Sequence, residues 1–114
     1  MGKNNINIEF FRGIIESIPA EIVIIDNNHK ILLANKFARE KYSNSSPQLR
    51  EGNSIFACHK NEKSHQIIQN AYDEIKKGKD RVYIYNSDET GKPAYLIAVR
   101  DSERNILGYY EWFE

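Results

Sequence analysis

The chain has 114 residues, 40% hydrophobic and 28% charged, which is the size and composition of one soluble globular domain and excludes a disordered chain or a two-lobed enzyme. Lys plus Arg and Asp plus Glu stand at 16 each, so the chain lacks the basic excess with which a nucleic-acid binder neutralises phosphates. Cys58 is the single cysteine, which rules out an internal disulfide and fits a reducing, cytoplasmic setting, and the longest apolar runs, such as Ile22 to Ile25, fall far short of the ~20 residues of a membrane span.

The opening MGKNN is polar, residues 1–7 are expected to be flexible, and MGKNNINIEF has no apolar segment of the signal-peptide kind. Ile8, Phe11, Ile14, Ile15 and Ile18 recur near helical spacing, which predicts an amphipathic N-terminal helix over 8–18 that Pro19 stops. The β-branched run EIVIID ends in the turn cluster Asp26-Asn27-Asn28, and KILLAN follows as the second arm of a hairpin. Asn35 is placed to cap a short helix, KFAREKY, after which SNSSPQLREGN is loop chemistry with Pro47 and Gly52 as breakers.

From Glu62 to Lys77 the residues Ile67, Ile68, Ala71, Tyr72 and Ile75 follow helical spacing, with Lys76 and Lys77 in the last turn and Gly78 just past it. RVYIYN, the turn SDETGK, PAYLIAVR, the turn DSERN and ILGYYEWFE then read as a three-stranded antiparallel meander. The whole is a single α+β domain over 1–114. It combines a five-stranded antiparallel sheet, short helices and one longer helix on one face, and the N-terminal amphipathic helix.

In order and spacing, IIESIPAEIVIIDNNHKILLANKFA resembles the opening of the PAS family, and GNSIF, the helix to Gly78, GKPAYLIAVRD and NILGYYEWF resemble its closing half, from about Phe10 to Phe113. ACHKNEKS, GKPAYLIAVRD and GYYEWFE further resemble a prokaryotic PAS subgroup with a Cys-His-Pro and Lys-Ser signature, although Lys60 stands where that subgroup has Pro. The resemblance implies a non-catalytic sensory module with a ligand pocket between sheet and helices. It also implies a parent regulator such as a histidine kinase, a diguanylate cyclase or a transcription regulator in which the final strand leads on to an effector domain, while Ile8, Phe11, Ile14, Ile15 and Ile18 offer more apolar surface than one short capping helix need bury and predict a homodimer through that helix.

The residues themselves offer catalysis no seat. The chain has no Gly-rich phosphate loop, no metalloprotease His-Glu pair and no strand-turn Ser nucleophile, and His59, Ser64 and Asp73 form a triad only on paper. Cys58 and His59 are the candidates for a haem- or redox-sensing module. Adjacent residues do not readily aim at one metal, however, and neither His29 nor His65 stands at a zinc spacing from them, so no metal site is assigned. Lys60 and Lys63 nearby would favour a Cys58 thiolate. The motif Ala57-Cys58-His59 differs from the Asn-Cys-Arg-Phe type of the family's flavin photoreceptors, which disfavours flavin and leaves the cofactor unknown.

Arg100-Asp101 and Glu111 are expected to meet across antiparallel strands as an exposed ion pair. Strand alternation places Tyr83 with Tyr85, and Tyr95 with Ile97 and Val99, on shared faces, and Ile68 and Tyr72 lie four apart on one helix face. The expected small-molecule pocket is therefore lined by Phe37, Tyr42, Ile55, Ile68, Tyr72, Tyr83, Tyr95, Ile97 and Trp112, with His59 at its rim. A dimerisation module with a filled core and no ligand is the alternative. Neither direct nucleic-acid binding nor membrane contact is expected of this domain.

Overall fold

The computed structural model describes residues 7–44, 46, 49–58 and 61–114, so the expected flexible start lies almost entirely outside the described residues, as does His59. Helix α1 (Ile8–Ser17) begins at Asn7, whose side chain accepts a hydrogen bond from the Phe10 amide, and ends as the chain extends at Ile18 ahead of Pro19. Strands β1 (Val23–Asp26) and β2 (Ile31–Ala34) form the hairpin. The Asp26 carboxylate holds its turn by accepting from the amides of Asn28 and Lys30, at 2.8 and 3.0 Å. Asn35 caps the short α2 (Lys36–Lys41), and a 3₁₀ turn, Ile55–Cys58, precedes α3 (Glu62–Lys76). Gly78, at φ 114°, adopts the left-handed conformation that closes α3, its amide donating to the Ile75 carbonyl at 3.0 Å.

Strands β3 (Arg81–Asn86), β4 (Pro93–Arg100) and β5 (Ile106–Phe113) complete an antiparallel five-stranded sheet of order β2-β1-β5-β4-β3, the α+β architecture expected. The last strand thus sits at the centre, between the two hairpins. Gly108 is required there: a Cβ at this position would lie 2.1 Å from the Ile25 carbonyl oxygen across the β1–β5 pairing.

Helix α3 lies across β3 and β4 and buries Ile68, Ala71, Tyr72 and Ile75 against Ile84, Ala94, Leu96 and Tyr109. Each of the isoleucines and Leu96 contributes roughly 1.5 to 3 kcal/mol by leaving water. Register assigns the faces. Ile25 stands opposite Tyr109 and Tyr109 opposite Ala98, while Glu111 pairs with Leu96 and Phe113 with Ala94, and these point toward the helices. Ile24, Tyr110, Ile97, Tyr95 and Trp112 alternate to the other side.

The expected cross-strand ion pair does not form. Glu111 faces Leu96, while Arg100 turns to the end of α3, donating to the carbonyls of Ile75 and Lys79 at 2.8 and 3.0 Å and to Asp80 at 2.8 Å. Arg100 and Asp101 remain structural, the latter by accepting from the Glu103 and Asn105 amides in the β4–β5 turn. Among the described residues no helix is long and apolar enough to cross a membrane.

Candidate functional site

A cavity of about 260 Å³ lies between the inner sheet face and the segment that follows β2. Its walls are Glu21 and Val23 at the start of β1, Tyr42, Ser46 and Leu49 after α2, Ile55 and Cys58 of the 3₁₀ turn, Tyr85 of β3, and Glu111 and Phe113 of β5. A neighbouring hollow of about 320 Å³ runs toward α3 and is bordered by Ser64, Ile67, Ile68 and Asp88. Tyr85 and Glu111 belong to both and form the wall between them.

Tyr85 reaches this wall because β3 is irregular. The register slips between Tyr83 and Tyr85, so that Ile84 is an extra residue and the side-chain alternation is interrupted. Tyr83 therefore faces away, edge-on to Tyr95, whereas Tyr85 turns inward, edge-on to Phe113. The expectation that Tyr83 and Tyr85 share a face is corrected by this bulge.

The polar groups of the cavity are of two kinds. Glu21 is satisfied: Tyr42 donates its hydroxyl to one carboxylate oxygen at 2.7 Å, and Lys41 donates to the other at 2.8 Å while also reaching Glu89 at 3.2 Å. Burial first, then the hydrogen bond to Glu21, holds the Tyr42 hydroxyl well above the usual phenol range, so it acts as a donor. Glu111 receives no hydrogen bond or ion pair among the described residues, and its enclosure, followed by the charge of Glu21, pushes its carboxyl up to about 7. Burial, then Glu111, also raises the Cys58 thiol. This is opposite to the effect expected from the neighbouring lysines, and it disfavours thiolate chemistry.

The expected lining divides into four groups. Tyr42 and Ile55 line the main cavity and Ile68 the adjoining hollow. Tyr72 is in the core beneath, donating its hydroxyl to Asn27 at 3.0 Å and packed on His29. Phe37 points to solvent from α2, 43% exposed. Tyr83, Tyr95, Ile97 and Trp112 lie outside the cavity wall, because the register places the inner residues of β4 at Ala94 and Leu96 and those of β5 at Glu111 and Phe113. Sequence reasoning missed Glu21, Val23, Leu49, Tyr85 and Phe113, and gave Glu111 an exposed role. The available signal was a single carboxylate inside the otherwise apolar strand ILGYYEWF.

A second polar cluster surrounds His29, whose Nδ1 lies 2.7 Å from the Tyr109 hydroxyl and whose ring packs on Phe56, Tyr72 and Tyr109. Burial lowers its pKa, so the neutral ring is favoured. His65 is engaged at 3.0 Å with the Phe56 carbonyl. Among the described residues no group of three His, Cys, Asp or Glu side chains is arranged to hold a metal ion.

The sequence pattern of the PAS domain matches residues 12–114. No protein of curated function matches the chain. Among solved structures, the C-terminal domain of a Streptococcus mutans protein is similar with a TM-score of 0.69 and 23% identity over 97% of this chain and 87% of that one. The PAS domain of a Colwellia psychrerythraea protein gives 0.64 and 14% identity, covering 92% of this chain and 93% of that one. An RNA-binding Light-Oxygen-Voltage receptor gives 0.59 and 17% identity over 96% of this chain, which spans only 34% of the receptor. At these identities the structural likeness concerns the fold.

Proposed function

The chain belongs to the PAS-domain family, and from that premise we propose that it is a non-catalytic sensory module whose small-molecule ligand occupies the cavity between the inner sheet face and the α2-to-3₁₀ segment. The observation that carries this reading is the cavity itself, where apolar walls from Val23, Leu49, Ile55 and Phe113 converge with a few polar groups, the usual composition of a small-molecule site. Its volume of about 260 Å³ is below the range typical of drug-sized ligands, so the ligand is small.

The same walls offer a path for the signal. Glu21 lies between α1 and β1, and Tyr42 and Lys41 tie it to the end of α2. Buried Asn35 holds α1 to the same junction through the carbonyls of Ile15, Ile18 and Ala20. A ligand that binds better when the Tyr42–Glu21 contact is rearranged biases the seating of α1, and a homodimer or effector domain attached to this module reads that bias. The parent is a cytoplasmic regulator of the kinase, cyclase or transcription-factor type, and this domain neither binds nucleic acid nor touches membrane.

A haem- or redox-sensing role has less support, because the cavity's one thiol, Cys58, is held protonated. A dimerisation module with no ligand draws on the exposed face of α1 instead. Replacing Ile55, 2% exposed and on the cavity wall, by Trp discriminates between these readings. The variant should fold at a cost of about 1 to 3 kcal/mol while losing any small molecule that co-purifies with the wild type under native mass spectrometry. Unchanged co-purification, or none with either protein across a metabolite library, removes the cavity from consideration.

A further inference from the structure

Taking this cavity as the sensing pocket, on which the present step rests, we infer that its ligand is a small organic cation, a protonated amine or amidine, whose charged head pairs with Glu111 while its apolar body lies against Val23, Leu49, Ile55 and Phe113. Glu111 sits on the central strand, partly buried and without a hydrogen-bond or ion-pair partner among the described residues, and it borders both hollows. A carboxylate that opens on an apolar-walled cavity is ionised at some cost unless a partner of opposite charge meets it there, and an apolar side chain would suit a position opposite Leu96 better. The position makes sense if its partner arrives from solution.

The groups that face Glu111 strengthen the choice of charge. They are Glu21 ahead of β1, Tyr42 and Ser46 after α2, Cys58 of the 3₁₀ turn, Ser64 of α3, Tyr85 of β3 and Asp88 in the following turn, and none of them is cationic. Lys41, beside Tyr42, is already shared between Glu21 and Glu89. Among the described residues a carboxylate or phosphate ligand would therefore meet acids and no counter-charge, whereas a cation meets groups of the opposite sign. Tyr42 and Tyr85, both kept protonated by burial, can flank an ammonium head with their oxygens and ring faces. Because Glu111 must be ionised to pair, cation affinity should rise with pH and level off above neutrality.

The test titrates the isotopically labelled full chain with benzylammonium and with benzyl alcohol, a pair matched in shape and differing in charge, and follows the amide signals of Val23, Ile55 and Phe113 by NMR. Benzylammonium is expected to bind at least about ten-fold more tightly than the alcohol near pH 8, with the gap closing toward pH 5.5. Glu111→Gln should abolish the gap. If that variant fails to fold, the two wild-type affinities near pH 8 decide alone. Equal affinities near pH 8, or a gap that persists in Glu111→Gln, overturn the cation and leave the pocket standing. Signals unmoved by either probe up to about 20 mM overturn both.

Discussion

Asn35 has no solvent exposure and uses its side chain in full. Its Oδ1 accepts from the amides of Ile22 and Ala38 at 3.1 and 3.0 Å, and its Nδ2 is shared among the carbonyls of Ile15, Ile18 and Ala20. Asn35→Leu keeps the size but removes the α2 cap and strands those backbone groups in the interior, so a loss of about 3 kcal/mol is expected from urea denaturation. Asn35→Asp should also destabilise, because it turns a second oxygen toward three carbonyls; a wild-type midpoint for either variant refutes the hub. Glu111 makes a prediction of the opposite kind. Its folded pKa, about 7, stands above the unfolded value, so its contribution is fully present below about pH 4.5 and is lost as pH rises through 7. The wild type should lose on the order of 2 to 3 kcal/mol over that window from this group, and Glu111→Gln should flatten the slope. An unchanged pH–stability curve in the variant would show that the carboxylate is hydrated at no cost.

The elements were legible in the sequence where local chemistry decides them. Periodicity found α1 and α3, Asn35 and Gly78 marked helix ends, and Asp-Asn clusters marked turns, so the three α-helices and all five strands were found nearly to the residue, while the 3₁₀ turn Ile55–Cys58 was not. Facing was not legible to the same degree. Alternation says that Tyr95 and Ile97 share a side, but which side meets the helices is set by long-range pairing with β5, and Ile84 breaks the count within β3. Tyr42, Ile55 and Ile68 were found because their position depends on chain order, whereas Tyr83, Tyr95, Ile97 and Trp112 depended on parity. The junction of the two hairpins rests on a glycine that no pattern singled out. Gly108→Ala drives a methyl into the Ile25 carbonyl, and since backbone on a central strand cannot yield as a side chain does, the variant should lose about 3 kcal/mol or more or fail to fold. Circular dichroism melts check this, and a variant melting with the wild type would mean that β1 and β5 separate easily.

Among the described residues one helix is left largely uncovered. α1 is 10 residues long with none buried, and it shows Ile8, Phe10, Phe11 and Ile14 at 86, 53, 55 and 44% exposure. A helix this short is marginal in water without a packed apolar face, and among its described apolar residues Ile15 and Ile18 are the partly buried ones, with Glu16 paired to Arg39 beside them. A second copy of the chain supplies the missing surface if two α1 helices pair, which would join the two cavities' output paths through Asn35. Deleting the helix is a poor test, since it strands the Asn35 amide. Substituting Phe11→Asp together with Ile14→Asp leaves that hub intact and changes only exposed positions. Wild type is expected to sediment as a dimer and the double variant as a monomer with an unaltered far-ultraviolet spectrum. A variant that still sediments as a dimer moves the interface to the outer sheet face, where Ile24, Ile97, Tyr110 and Trp112 form the other apolar surface of the fold.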